Sequence, residues 1–134
     1  MISTHINREK GLTVYTVLGE FAGLEVAQAV LSVYEKGATQ HSLWDLTKAD
    51  GRRLSREDAQ WLAAAIARHG RIRKGGKVAI VASSDLVHSL GQLGRSVVRG
   101  EQAPFEFEVF RDSDTAMAWL GAPVRARSGE RATG

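Results

Sequence analysis

Few side chains in this sequence are spaced for covalent or acid–base chemistry. The four histidines, His5, His41, His69 and His88, form no HxH or HxxxH pair, and there is no cysteine. Thiolate catalysis, Cys-type zinc sites and iron–sulfur clusters are excluded, and no metal site is expected. Gly70 and Gly75 have the spacing of a phosphate loop, but Gly76 stands where its lysine belongs and Lys77 is followed by Val78. That segment also precedes a strand, so no helix N-terminus faces a phosphate. A Gly-x-Ser-x-Gly elbow is absent. Glu106 and Glu108 share the outer face of an edge strand, where solvation accounts for them. With no nucleophile and no convergent acid–base pair, the chain is expected not to be an enzyme and to need no cofactor.

Two sets of residues keep an interest. Asp45 and Thr47, then Ser83, Ser84 and Asp85, fall just after two strands. They should collect at the carboxyl edge of the sheet, where open α/β folds hold ligands. Capping and turn roles compete for each of them. The other set surrounds Ser55-Arg56-Glu57-Asp58, a capping-box pattern with Asp in the last place. Arg52, Arg53 and Arg56 lie close to Ser55, and Trp61 follows on the same helix. Trp61 is either an exposed partner anchor or a ring packed at the core margin.

The elements that must position these residues read clearly. Ile2–Asn7 and Leu12–Leu18 are strands joined by a polar, glycine-ended turn. Leu24–Lys36 is a helix with Leu24, Ala27, Leu31 and Tyr34 on one stripe, beside Val26, Val30 and Val33, and Gly37 ends it. Ser42–Leu46 is a third strand, followed by a polar loop over Thr47–Leu54. A helix from Ser55 to Arg68 places Leu62, Ala65, Ile66 and His69 on one stripe. Lys77–Ala82 is a continuous apolar run, as a central strand covered on both faces requires. Asp85–Arg99 is a helix with the stripe Leu86, Leu90, Leu93 and Val97. Its Gly91 and Gly94 cost roughly 2 kcal/mol of helix propensity, which implies close packing or a mobile helix. Phe105–Phe110 is the last strand, and a final helix carries Ala116, Trp119 and Leu120. The prediction is one α/β domain over 1–121, ordered β-β-α-β-α-β-α-β-α. Its five-stranded sheet is mostly parallel, with an antiparallel N-terminal edge strand and four helices. A disordered basic tail is expected over 122–134.

Composition narrows the class. The chain has 134 residues, 43% apolar and 25% charged, with 18 Lys+Arg against 15 Asp+Glu. A net charge of +3 is a weak field, concentrated in Arg68–Lys77 and the tail arginines Arg125, Arg127 and Arg131. No specific nucleic-acid partner is expected. No signal peptide or membrane span is visible, so a cytoplasmic protein is expected. An exposed sheet edge offers a route to a homodimer.

The element order, the strand ending in Asp45-Leu46 and the polar loop before Ser55 resemble the STAS superfamily. The strand VAIVASSDLV, then a helix, then PFEFEVFRDSDTAMAWL sharpen this to the SpoIIAA-like branch, through Phe110, Arg111, Asp112, Ala116, Trp119 and Leu120. The resemblance covers about residues 1–121. It implies a regulatory module that binds a protein partner, as in the bacterial anti-sigma-factor antagonists. In those, a serine in an Asp-Ser-Ser-Gly turn at the start of the second helix is phosphorylated by a partner kinase. Ungapped counting from Asp45-Leu46 brings Ser55 to that position, as the phospho-acceptor the resemblance implies. Leu54 and Arg56 flank it, so the paired serine and the glycine are missing. The partner surface would then include Arg52, Arg53, Arg56 and Trp61. The same branch is related to the lipid-binding CRAL-TRIO fold, which implies a small apolar ligand as the alternative. Its pocket, between the third helix and the sheet, would be lined by Leu86, Leu90, Leu93 and Val97, with Asp45, Thr47, Ser83 and Ser84 along the sheet edge.

Overall fold

Alternating β-branched residues around a positive-φ glycine make the first hairpin. β1 (Ile2–Asn7) and β2 (Leu12–Glu20) pair antiparallel, and Gly11 turns the chain at φ 60°. The computed structural model describes residues 1–70 and 74–122. Three residues of the basic stretch, 71–73, and the tail from 123 onward lie outside them. After the hairpin come α1 (Gly23–Lys36), β3 (His41–Asp50), a 3-10 turn over Gly51–Arg53, and α2 (Arg56–Arg68). Then follow β4 (Lys77–Val81), α3 (Asp85–Gly100), β5 (Glu106–Phe110) and α4 (Ser113–Gly121).

The strands lie in the order β1-β2-β3-β4-β5, and β2 to β5 are all parallel. Each crossover steps one strand in the same direction. Right-handed crossovers therefore stack α1, α2 and α3 on one face and leave the other to α4. The larger core lies under the three helices and joins Tyr15, Val17, Trp44, Ile80 and Phe107 to Val26, Val33, Leu62 and Val98. The smaller core packs Ala116 and Leu120 of α4 on Leu12, Leu43, Ala79 and Val81. Every residue of β4 is buried, as its apolar run requires. Its exception in chemistry is Lys77, only 1% exposed. The Lys77 ammonium donates to the carbonyls of Trp119 at 2.7 Å and Ala122 at 2.5 Å, and lies 5.2 Å from the Trp119 ring centre. It thus adds a charged donor at the C-terminal end of α4, where the Trp119 carbonyl also accepts the Ala122 amide.

Several expectations need correction. The polar segment after Leu46 is not a loop: β3 continues to Asp50, because Lys48, Ala49 and Asp50 pair with Leu18, Gly19 and Glu20 of the long β2. On α1 the stripe Leu24/Leu31 faces outward, and Gly23, Val26 and Val33 face the core. On α3 the buried face is Val87, Leu90, Gly94 and Val98, one position round from the stripe that begins at Leu86. On α2, Ala59, Leu62, Ala63 and Ala67 are buried while His69 is exposed, its Nδ1 2.8 Å from the Ala65 carbonyl at the helix end. Glu108 is not a solvated carboxylate. Arg95 donates to it from Nε and, at 3.1 Å, from Nη2.

Candidate functional site

The carboxyl edge of the sheet is built around a β-bulge. Thr16 pairs with Asp45 and Leu18 with Lys48, so Leu46 and Thr47 together oppose Val17. A bulge frees a backbone amide from the ladder. Asp45 takes up that of Thr47 through Oδ1 at 3.0 Å, and accepts the Thr47 hydroxyl at 2.6 Å. Ser83 Oγ donates to the Thr47 carbonyl at 3.0 Å, tying β4's exit to the bulge. Ser84 caps α3 by accepting from the Val87 amide. Asp85 accepts from Arg111, which also donates to the Ser83 carbonyl. Asp45, Thr47 and Ser83 bond one another at this edge, whereas Ser84 and Asp85 are engaged by the Val87 amide and by Arg111.

The start of α2 has a different character. Ser55 is exposed and in extended conformation. Its Oγ accepts from the Asp58 amide at 3.0 Å, and Asp58 Oδ2 accepts from the Ser55 amide at 3.3 Å, so the capping box is complete. Of the nearby arginines, Arg52 is engaged. It donates from its amide, Nε and Nη2 to Asp50, whose carboxyl it holds below the ordinary range, by the side-chain hydrogen bonds first and the backbone one second. Arg53 and Arg56 are exposed and make no ion pair among the described residues. Trp61, one of the two readings left open by sequence, is 56% exposed. The capping serine, the two guanidinium groups and the Trp61 indole are all exposed, on α2 or in the turn before it.

Beneath it lies an apolar cavity of about 100 Å³. Helix α2 lines it with Ala59, Leu62, Ala63 and Ile66, and α3 with Val87, Leu90, Gly91 and Gly94. The sheet supplies Trp44, Leu46, Ile80 and Phe107; Phe21, Val26 and Leu54 close the end nearest the start of α2. Trp44 is held flat against Tyr15, with ring centres 3.9 Å apart and planes 8° from parallel. Of the pocket residues read from sequence, Leu90 lines this cavity. Leu86 is exposed, and Leu93 and Val97 are half-buried outside the lining. The two helix glycines differ. A Cβ on Gly91 would press on Val109 Cγ1 at 3.2 Å, whereas one on Gly94 would sit at 3.6 Å from Phe107 and 3.7 Å from Ala63. Sequence reasoning missed Leu54, Trp44 and Phe21. The one available signal was the apolar Leu54 inside a polar stretch.

No group of three or more His, Asp or Glu side chains among the described residues is placed to hold a metal ion. No helix among them is long and apolar enough to cross a membrane.

With this geometry in hand, the chain can be set beside known proteins. No protein-family model matches it, and no curated protein matches it significantly. Among solved structures it is similar to an uncharacterised Shewanella loihica protein of the DUF3478 family, described as having a SpoIIAA-like fold. The TM-score is 0.53 at 23% identity, over 90% of this chain and 92% of that one. It is also similar to the anti-sigma factor antagonist SpoIIAA in its unphosphorylated form, with a TM-score of 0.56 at 11% identity, over 88% and 94% of the two chains. The fold is SpoIIAA-like. At these identities the likeness fixes architecture, and function has to be argued from the site.

Proposed function

We propose that the chain is a non-enzymatic regulatory module of the STAS type, which binds a protein partner through the start of α2 and the turn before it. The observation that carries this reading is the exposed Ser55 at the head of α2, beside the unpaired Arg53 and Arg56, in a SpoIIAA-like fold. The similar antagonist is described in an unphosphorylated form. Ser55 is the residue in this chain best placed for such a switch. A phosphate there would meet free helix N–H groups and two arginines, and would repel the Asp58 carboxylate of the capping box. A phosphate of about −2 would offset the two guanidinium charges and change the surface from basic to mixed without unfolding the domain. Trp61 is the apolar anchor of the interface, and a cytoplasmic location goes with this reading.

Affinity capture from an extract of the chain's own cells tests it, with thermal midpoints as controls. Trp61→Asp is expected to lose the partner and keep the wild-type midpoint. Ser55→Asp is expected to do the same, because Asp is as good an N-cap as Ser. Retention of the same proteins by both variants would put the partner surface elsewhere.

The cavity favours a second reading, a carrier or sensor of a small apolar ligand. A carbon-lined pocket of this size offers an apolar molecule contacts that water does not make. Native mass spectrometry of the protein from its own cells should then show a small-molecule adduct that denaturation removes. A chain of bare mass would count against a resident ligand.

A further inference from the structure

The cavity and the α2 surface share a wall. Leu54 lines the cavity and is the residue before Ser55. Gly51, at the other end of the same turn, lies against α3: a Cβ there would come within 3.1 Å of Val87 Cγ2 and 3.4 Å of Leu90 Cδ1. Both of those side chains also line the cavity. From the opposite side, Leu54 and Asp58 pack together on Gly23, where a Cβ would lie 3.7 Å from Leu54 Cδ1 and 3.6 Å from Asp58 Cβ. Asp58 is the reciprocal partner of Ser55 in the capping box. Leu54 is therefore the wall shared by the cavity and the turn that presents Ser55, with Gly51 packed on two further lining side chains. Packed interiors do not deform continuously, so a change on one side of such a wall is felt on the other.

The geometry points to a ligand-gated surface: a small apolar molecule in the cavity holds Leu54 and the capping box in one arrangement, and negative charge at Ser55 opposes that arrangement. This inference rests on the ligand reading of the cavity and adds its regulation. The ligand class follows from size and lining. An engineered cavity of about 150 Å³ with similar walls takes benzene or xenon. A space of about 100 Å³ takes a small ring or the end of an alkyl chain. Coupling of this kind is reciprocal. Ligand stabilises the closed capping box, and a phosphate or carboxylate at Ser55 expels ligand by the same factor.

Xenon is the probe that tests this without knowledge of the natural ligand. In the full ¹⁵N-labelled chain, the amide signals of Ile80, Gly91 and Gly94 should shift saturably with xenon. Those of Leu54, Ser55 and Asp58 should shift with the same dissociation constant. Ser55→Asp should weaken xenon binding by about fivefold or more, the lower end of ordinary allosteric coupling. Ala63→Leu, which fills the cavity, should abolish both sets of shifts. Should that variant not fold, Gly94→Ala narrows the same space in ordinary van der Waals contact and should weaken both sets in parallel. Saturable shifts at Ile80, Gly91 and Gly94 with still signals at 54–58, or unchanged affinity in Ser55→Asp, would overturn the coupling and leave the cavity as a binding site. No saturable shift at all would overturn the ligand reading and the coupling with it.

Discussion

Asp112 and Asp50 each hold an exposed backbone turn by accepting backbone and side-chain hydrogen bonds on a carboxylate. Asp112 caps α4 through the Thr115 amide at 2.8 Å and the Thr115 hydroxyl, and that amide above all keeps its carboxyl below the ordinary range. Asp50 is lowered by Arg52. A folded-state pKa below the unfolded one means that the folded chain favours the ionised form. The stabilisation is complete above the unfolded value near 3.9 and is lost as pH falls through the lower folded value. Both groups are solvent-exposed, so the effect is modest. Asp112→Asn keeps a capping oxygen without the charge. It should leave the thermal midpoint at pH 7 nearly unchanged and flatten its fall below about pH 4. An acid slope identical to wild type would show that this carboxylate does not carry the sensitivity. Local caps such as Ser84 and the Ser55–Asp58 box were legible in the sequence because donor and acceptor lie three residues apart. Asp45, Thr47 and Ser83 were legible as residues but not in role. Their bonds answer a bulge that exists only because β3 pairs with the long β2.

Among the elements, α4 depends most on a single distant side chain. It covers its face of the sheet alone, and Lys77 on β4 donates to the Trp119 and Ala122 carbonyls at its end. A bond to a charged donor is worth about 1.5–3 kcal/mol. Lys77→Met keeps the volume of the stem and removes the ammonium. It should lower stability by roughly 2–3 kcal/mol, with faster amide exchange concentrated in α4. Unchanged protection of α4 would contradict the capping role. Strand positions were legible from β-branched runs between glycines, and Lys77–Ala82 was recognisable as the buried centre. Helix orientation was less so. On α1 and α3 two apolar stripes overlap, and the choice between them is made by the sheet beneath. The tail of β3 reads as a loop because TKAD has no apolar alternation; it is held by β2 rather than by its own composition.

At the scale of the molecule, the order of elements was legible from apolar periodicity and turn residues, and strands alternating with helices implied a mostly parallel sheet. The cavity was not. Its walls come from α1, β3, α2, β4, α3 and β5, and no window of sequence contains them together. Only Leu90 belonged to both the inferred pocket and the observed one. The molecule presents an exposed α2 head with an apolar cavity behind it. The proposed function turns on Ser55 as a switch of partner binding. The most direct test is to isolate the chain from its own cells, separate the partner-bound from the free fraction, and map phosphate on each by mass spectrometry. Phosphate is expected on Ser55 in the free fraction and not in the bound one. Unmodified Ser55 in both fractions would contradict the switch.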